Sequence, residues 1–312
     1  MRFDILKLLP SFMLLFLIFL VAACGSGSRN PIVIFCSPDS RRMQPAIAAL
    51  REGLKDAPVK VVCAPEFGPE IKDNLRQVQQ LKPRLLVVLG TPALMTVAPM
   101  EKDIPVVFAL VANPYFTGAA YDPGHPDDHQ ENLTGIASPA PLEAALKQGA
   151  DLLGEASWGL LYDPNDGVAA ELAAAFTQQA PHYGITPLVE ASRGKATDSR
   201  ALKRLLTRGA RVIYLLPAAS TARFASLALD QGRRLKVMVV SGYPEGPRQG
   251  ALLWVTLDYR RLGEEVAALA RRLLQGEAPK NIPIAQMASL KIEVDEKLLQ
   301  HWSGYPGKTS NQ

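Results

Sequence analysis

Leu85-Leu86-Val87-Val88-Leu89-Gly90-Thr91-Pro92-Ala93 is the stretch that decides how this chain folds. Five apolar residues without polar alternation read as a strand covered on both faces, the mark of a parallel sheet. Gly90-Thr91-Pro92 ends the run. Proline is at home in the first turn of a helix, so a helix begins here, with Thr91 expected as its cap. Strand, tight turn and helix in succession make a right-handed βαβ unit.

The same figure recurs on both sides. Strands are predicted over 32–36 and 59–63, helices over 45–54 and 71–81, and a further strand over 105–111. Residues 113–131 break the rhythm with Pro, Gly, Asp and His, and read as a surface loop. The alternation then restarts. Helices are predicted over 141–153, 168–183, 198–207 (capped by Thr197 or Asp198) and 220–231, with strands over 158–162, 186–190, 212–216, 237–241 and 251–255. A helix over 262–274 and an extended stretch from Ile282 close the chain.

Two βα series of similar size imply an α/β protein with two doubly wound parallel-sheet lobes. The last helix and strands have no series of their own, so they are expected to cross back and complete both lobes through a multi-crossing hinge. The expected divisions are 1–23 as a signal peptide and 24–30 as a lipidated cysteine with its tether. Lobe 1 takes 31–137 plus about 258–282, and lobe 2 takes 138–257 plus about 283–312.

Open α/β sheets bind ligands outside the carboxyl ends of their strands. Those positions hold small, polar and turn-forming residues throughout: Ser37-Pro38-Asp39, Gly90-Thr91-Pro92 and Asn113-Pro114 in the first series, then Asp163-Pro164-Asn165-Asp166, Ser220-Thr221 and Gly242-Tyr243 in the second. The candidate ligand contacts are Ser37, Asp39, Thr91, Pro92, Asn113, Asn165, Ser220, Thr221, Gly242 and Tyr243. The helix starts after Thr91 and Ser220 would offer free N–H groups to a carboxylate. Capping alone also accounts for Thr91, for Ser220-Thr221 and for Asn165-Asp166. Tyr243 offers a ring to a ligand or packs between lobes. Asp39 holds an ammonium group or caps a helix. Asp258 reads as a hinge support.

The amino terminus sets the compartment. Arg2 and Lys7 precede an unbroken apolar run over 12–23, which ends in Val21-Ala22-Ala23-Cys24. The run is shorter than the roughly 20 residues a spanning helix needs, and small residues precede the cut, as in a secretory signal. A cysteine directly after two alanines resembles a lipobox, whose thiol carries lipid (palmitate among the acyl chains). Gly25-Ser26-Gly27-Ser28 would then tether the body to the membrane. The expected location is the cell envelope, on its periplasmic or extracellular face.

Composition narrows the partners. The hydrophobic fraction is 48% and the charged fraction 21%, which excludes a disordered chain. A net charge of +4 with scattered Lys and Arg gives no nucleic-acid surface. The four histidines show no ligand spacing with cysteine, so no metal is expected. Of the three cysteines, Cys24 is assigned to lipid. Cys36 and Cys63 end two strand-like runs and read as free thiols, with a disulfide open if the strands are neighbours. No Gly-x-Ser-x-Gly elbow, phosphate loop or dinucleotide fingerprint is present, so the chain reads as a binder without cofactor rather than an enzyme.

Leu89-Gly90-Thr91-Pro92-Ala93, Ile104-Pro105-Val106-Val107-Phe108, Asn132-Leu133-Thr134-Gly135, Leu161-Tyr162-Asp163-Pro164-Asn165, and Gly250-Ala251-Leu252 with Asp258-Tyr259 and Leu262-Gly263 together resemble the substrate-binding lipoproteins of ABC transporters, in the tryptophan- and tyrosine-binding group. The resemblance runs in order over most of the chain after residue 31. It implies a type I periplasmic-binding-protein fold that closes on a small solute, with an amino acid as one option, and delivers it to an ABC permease. Three departures stand out. Asn113-Pro114 replaces the family's Asp-Pro, the insert over 115–131 is long, and the Ser220 region lacks the family's Asp-Asn. The other reading is a lipoprotein of the same fold that acts as a sensor or envelope scaffold without transport, with the insert around Tyr121 as its docking place.

Overall fold

The computed structural model describes residues 30–36, 40–65, 68–243, 250–287 and 289–302. The residues read as leader, lipidated Cys24 and tether lie outside the described residues up to residue 29, as do Ser37 and Asp39.

The first half opens with strand β1 (Ile32–Cys36), helix α1 (Ser40–Gly53), β2 (Val59–Cys63), α2 (Pro69–Gln80), β3 (Leu85–Leu89), α3 (Thr91–Met100), β4 (Val106–Val111) and β5 (Leu133–Ala137). The second half follows with α4 (Leu142–Leu153), β6 (Ala156–Tyr162), α5 (Gly167–Gln179), β7 (Ile185–Ala191), α6 (Lys195–Thr207), β8 (Val212–Leu215), α7 (Ala225–Leu235), β9 (Met238–Ser241) and β10 (Leu253–Leu257). The chain ends with α8 (Tyr259–Leu274), β11 (Ala285–Gln286), β12 (Leu290–Val294) and α9 (Glu296–Trp302).

These strands form two six-stranded sheets, ordered β11-β5-β4-β3-β1-β2 and β12-β10-β9-β8-β6-β7. Every pairing in the first is parallel. In the second only β10 with β12 is antiparallel. The unbroken apolar runs are thereby explained, because β1, β3 and β5 are buried along their full length. Helices cover both faces of each sheet. Leu50 of α1 and Leu262, Val266 and Leu273 of α8 pack on one face of the first sheet. Leu75 of α2 with Leu94 and Val97 of α3 pack on the other. Leu146 of α4 and Phe176 of α5 share a face of the second sheet, opposite Leu202 and Leu205 of α6 and Leu229 of α7. The α1–α8 contact is close because residue 263 is glycine: a Cβ there would lie 2.4 Å from the Ala46 carbonyl oxygen.

Two features depart from the sequence reading. The sequence reading assigns no element to β5. It is a full member of the first sheet, although Thr134 and Gly135 dilute its apolar signal. Ala285–Gln286 pair with β5, so the last passage between lobes falls after Gln286 and not near 282. The segment over 113–131 is a surface loop, as expected, and it is tied to the end of the chain. Ile284 N–H donates to the Pro126 carbonyl at 2.8 Å, and the buried His129 ring lies 3.0 Å from the Ile282 carbonyl through Nε2.

The chain passes between sheets three times, at 138–141, at Asp258 and at 287–289. Each passage leaves the carboxyl end of a parallel strand. α4 precedes β6 and α8 precedes β11, so each helix starts at the carboxyl edge of the sheet it joins. Connectors of one to four residues reach at most about 14 Å. The carboxyl edges of the two sheets therefore face each other. The passages are stitched together, with Met287 N–H donating to the Ala137 carbonyl at 2.8 Å and Asp258 N–H to the Ser289 carbonyl at 3.2 Å.

Candidate ligand-binding site

Strand order reverses beside β1 in the first lobe and beside β6 in the second. Such switch points open a crevice at the carboxyl edge, which is where ligands enter open α/β sheets. In lobe 1 the crevice lies between the ends of β1 and β3. In lobe 2 it lies between the ends of β6 and β8.

Thr91 and Pro92 follow β3 and are half-buried. The cap of α3 is Gly90, not Thr91: Gly90 takes φ 100°, ψ 150°, and Thr91 and Pro92 occupy the first turn. Only glycine adopts that backbone without strain, so the tight turn dictated the cap and left the Thr91 hydroxyl uncommitted to it. Asn113 follows β4, and its Oδ1 accepts the Tyr115 N–H at 3.0 Å, folding the loop back on itself. Immediately before it the strand bulges. Phe108 pairs with Gly135 but Val111 with Ala137, and Leu110 sits between them at φ 57°. Bulges of this kind re-aim the residues that follow.

In lobe 2, Asn165 is exposed on the turn after β6, with its N–H donating to Asp163 Oδ1 at 2.9 Å. Asp166 caps α5 by accepting the Ala169 N–H at 3.2 Å. It also accepts the Ser220 N–H at 3.0 Å, joining the ends of β6 and β8. Burial opposes the Asp166 charge, but the hydrogen bonds from Ser220, Ala169 and Val168 outweigh it and hold the carboxyl below its ordinary range. Ser220 and Thr221 do not open a long helix. They lie within a short 3₁₀ helix (Ala219–Arg223), and α7 starts only at Ala225. Likewise α6 starts at Lys195 after Gly194, so neither Thr197 nor Asp198 caps it.

Thr221 is fully buried, and neither its hydroxyl nor that of the buried Tyr214 has a hydrogen-bond partner among the described residues. Gly242 presses on the second of these: a Cβ there would stand 2.9 Å from the Tyr214 oxygen. Tyr243 is buried in the core between the sheet and α6–α7, and its carbonyl accepts the Trp254 Nε1–H at 3.0 Å. Its ring is therefore committed to the lobe's own packing. Asp258 caps α8 at the second passage by accepting the Arg261 N–H at 3.0 Å, which fits a hinge support.

One feature at the lobe 2 edge escaped the sequence reading. Arg223 donates through Nη1 to Asp163 at 2.5 Å, through Nε to Asp198 at 2.9 Å, and through Nη2 to the Ser192 carbonyl at 2.8 Å. Ser192 also donates its hydroxyl to Asp198 at 2.6 Å. One guanidinium thus ties the segments after β6, β7 and β8. The Arg223 hydrogen bond is the main cause holding the Asp163 carboxyl below its ordinary value. No local spacing signals this cluster, because its members come from separate loops.

Two polar strand-end rims face each other and carry backbone N–H groups and hydroxyls. Among the described residues there is no cluster of three metal-ligating side chains, and no helix is long and apolar enough to cross a membrane.

Comparison with known proteins agrees with this architecture. A tyrosine-binding protein of Clostridioides difficile (strain R20291) is 20% identical over 222 residues, covering 70% of this chain and 63% of that relative. The chain therefore spans somewhat less than two thirds of that protein's length. The fold matches the ABC domain in complex with L-Trp from Streptococcus pneumoniae, with a TM-score of 0.67 and 17% identity over 87% of this chain and 94% of the other. It also matches the ligand-free, open form of a substrate binding protein with adhesive properties from Clostridium difficile, at a TM-score of 0.74 and 18% identity over 91% and 97% of the two chains. The family model for ABC transporter substrate binding proteins matches residues 32–303, nearly the whole described body, and the chain belongs to that family.

Proposed function

We propose that the protein captures a small solute between its two lobes and passes it unaltered to an ABC permease. The observation that carries this reading is the pair of facing switch-point rims in a member of the substrate-binding family. Lobe closure would bury the solute between Thr91 and Asn113 on one side and Ser220 and Thr221 on the other. An amino acid is the first class to test, because one relative is a tyrosine-binding protein and one structural neighbour is in complex with L-Trp. Its carboxylate suits the free N–H groups at the α3 start, where a helix end adds about 0.3–1 kcal/mol. Micromolar binding needs about −8 kcal/mol in all, a scale that several hydrogen bonds and a buried side chain can reach.

The proposed setting is the cell envelope, with the body tethered through an acylated Cys24. A Cys24→Ser chain should lose incorporation of labelled palmitate and leave the membrane fraction.

A thermal-shift screen of the body against amino acids, nucleosides and small acids tests the binding claim. A solute held only by the folded state must raise Tm, by an amount set by its concentration over Kd. Calorimetry then gives one-to-one binding for the solute that does so. A screen in which no solute moves Tm, with no calorimetric heat for any aromatic amino acid, removes this reading. The second reading, an envelope sensor or scaffold without transport, has one support in the exposed Phe116 and Tyr121 on the insert. It expects a protein partner lost on F116S/Y121S and an unliganded crevice.

A further inference from the structure

We propose that Cys36 and Cys63 form a disulfide that locks the edge strand β2 onto β1 at the carboxyl edge of lobe 1. Four observations carry it. The two residues are direct partners in the β1–β2 ladder. They lie on the same face: Ile32, Ile34 and Cys36 belong to the core under α1 and α8, and Val59 and Val61, alternating with Cys63, pack against it. Neighbouring strands stand about 4.8 Å apart, inside the roughly 4.4–6.8 Å range of Cα separations that a disulfide spans. The Cys36 thiol reaches toward β2, with Sγ 3.8 Å from the Val62 carbonyl oxygen beside Cys63.

Exposure gives the pair an order of reaction. Cys36 is wholly buried and Cys63 is exposed at the sheet edge. Burial, with the neighbouring Cys63 sulfur, pushes the Cys36 thiol well above its ordinary range. The thiolate is the nucleophile in exchange, so Cys63 reacts first. The oxidant is a disulfide of the glutathione or thiol–disulfide oxidoreductase class. The Cys63 thiolate attacks one of its sulfurs, forms a mixed disulfide and releases one thiolate. Cys36 then gives up its proton and attacks the Cys63 sulfur, releasing the second thiolate. Two electrons pass to the oxidant and two protons leave the cysteines, and the new S–S bond replaces the old one. An extracytoplasmic compartment keeps such a bond.

The inference stands apart from solute binding, so its failure leaves that reading intact. The full chain is taken from the envelope, blocked with N-ethylmaleimide under denaturing conditions, and digested without reduction. The expected result is a linked peptide pair containing Cys36 and Cys63, with neither residue alkylated. Reduction should lower Tm by roughly 5–10 °C, the scale of a closed loop of this size. Cys63→Ser, a change at an exposed position, should fold and show no such sensitivity. The reduced full chain equilibrated with oxidised and reduced glutathione should regain the same bond. Full alkylation of both residues after that equilibration overturns the proposal. So does Cys63 found only as a glutathione adduct or linked to a second copy.

Discussion

Arg223 and Asp163 lie 60 residues apart in the chain and meet at 2.5 Å at the carboxyl edge of lobe 2. Both side chains are largely buried, as is Asp198 on the other side of the guanidinium. Removing the cation leaves two carboxylates without their partner. Arg223→Met should therefore cost about 3 kcal/mol, the lower end for breaking a buried pair. Urea unfolding at neutral pH checks this. A loss under 1 kcal/mol would mean that water already carries these charges.

Acid should undo the same edge. The carboxyls of Asp163 and Asp166 are held below their ordinary values in the folded protein, as is that of Glu101. For Glu101, burial opposes the charge, and hydrogen bonds from Ile104, Gln79 and Asp103 override it. A lowered folded pKa contributes stability above the unfolded pKa, near 4 for these groups, and that contribution disappears as pH falls through the folded value. Stability should be level from pH 7 to about 5 and then decline. Asp163→Asn should make the decline shallower. Parallel slopes for the two chains would exclude Asp163 as a contributor.

The α1–α8 contact offers a packing test. A methyl group at residue 263 would stand 2.4 Å from the Ala46 carbonyl oxygen and 2.9 Å from the Ala49 Cβ. Gly263→Ala should destabilise by about 1–3 kcal/mol through overpacking. Gly167 is the contrast. Nothing lies within 4 Å of its added methyl, and it sits in the first turn of α5. Gly167→Ala should be neutral or stabilise by about 0.4–1 kcal/mol, since alanine restricts the unfolded chain. Equal losses at both positions in thermal melts would contradict the close helix contact.

Thr221 separates folding from binding. Its buried hydroxyl has no partner among the described residues, so Thr221→Val should leave the free protein unchanged or slightly more stable. If that hydroxyl meets solute, the same change weakens binding by about 1 kcal/mol, a roughly fivefold rise in Kd. Thr91→Ala and Ser220→Ala should each act on the same scale. Calorimetry with the solute found by screening reads all three. Unchanged affinity in every variant would move the site away from these rims.

Much of the architecture was legible because buried parallel strands carry an unmistakable apolar run. Leu85–Leu89 and Ile32–Cys36 show it without interruption. β5 escaped because Thr134 and Gly135 break its run. Those residues serve tertiary needs: the Thr134 hydroxyl donates to the Ile282 carbonyl at 2.8 Å, and a Cβ at Gly135 would strike Phe108. The Asp166 cap was legible, but those expected at Thr91 and at Thr197 or Asp198 were misplaced. Threonine, serine and aspartate are good caps by local propensity, but Gly90 took the α3 cap because the backbone there has φ 100°, and α6 starts earlier than expected, after an extended Gly194. The strand-end loops were found from position alone. What holds them was not, since Asp163, Ser192, Asp198 and Arg223 meet only after three strands are side by side.

Lobe 1 borrows its closing pieces, α8 and β11, from the far end of the polypeptide. A chain that emerges amino end first has no partner for the α1 face until residues 259–286 have followed. The first half must wait, partly open, while the whole second half is delivered. Lobe 1 can close only once its last pieces arrive, and truncation at the carboxyl end should damage the half of the protein that was made first.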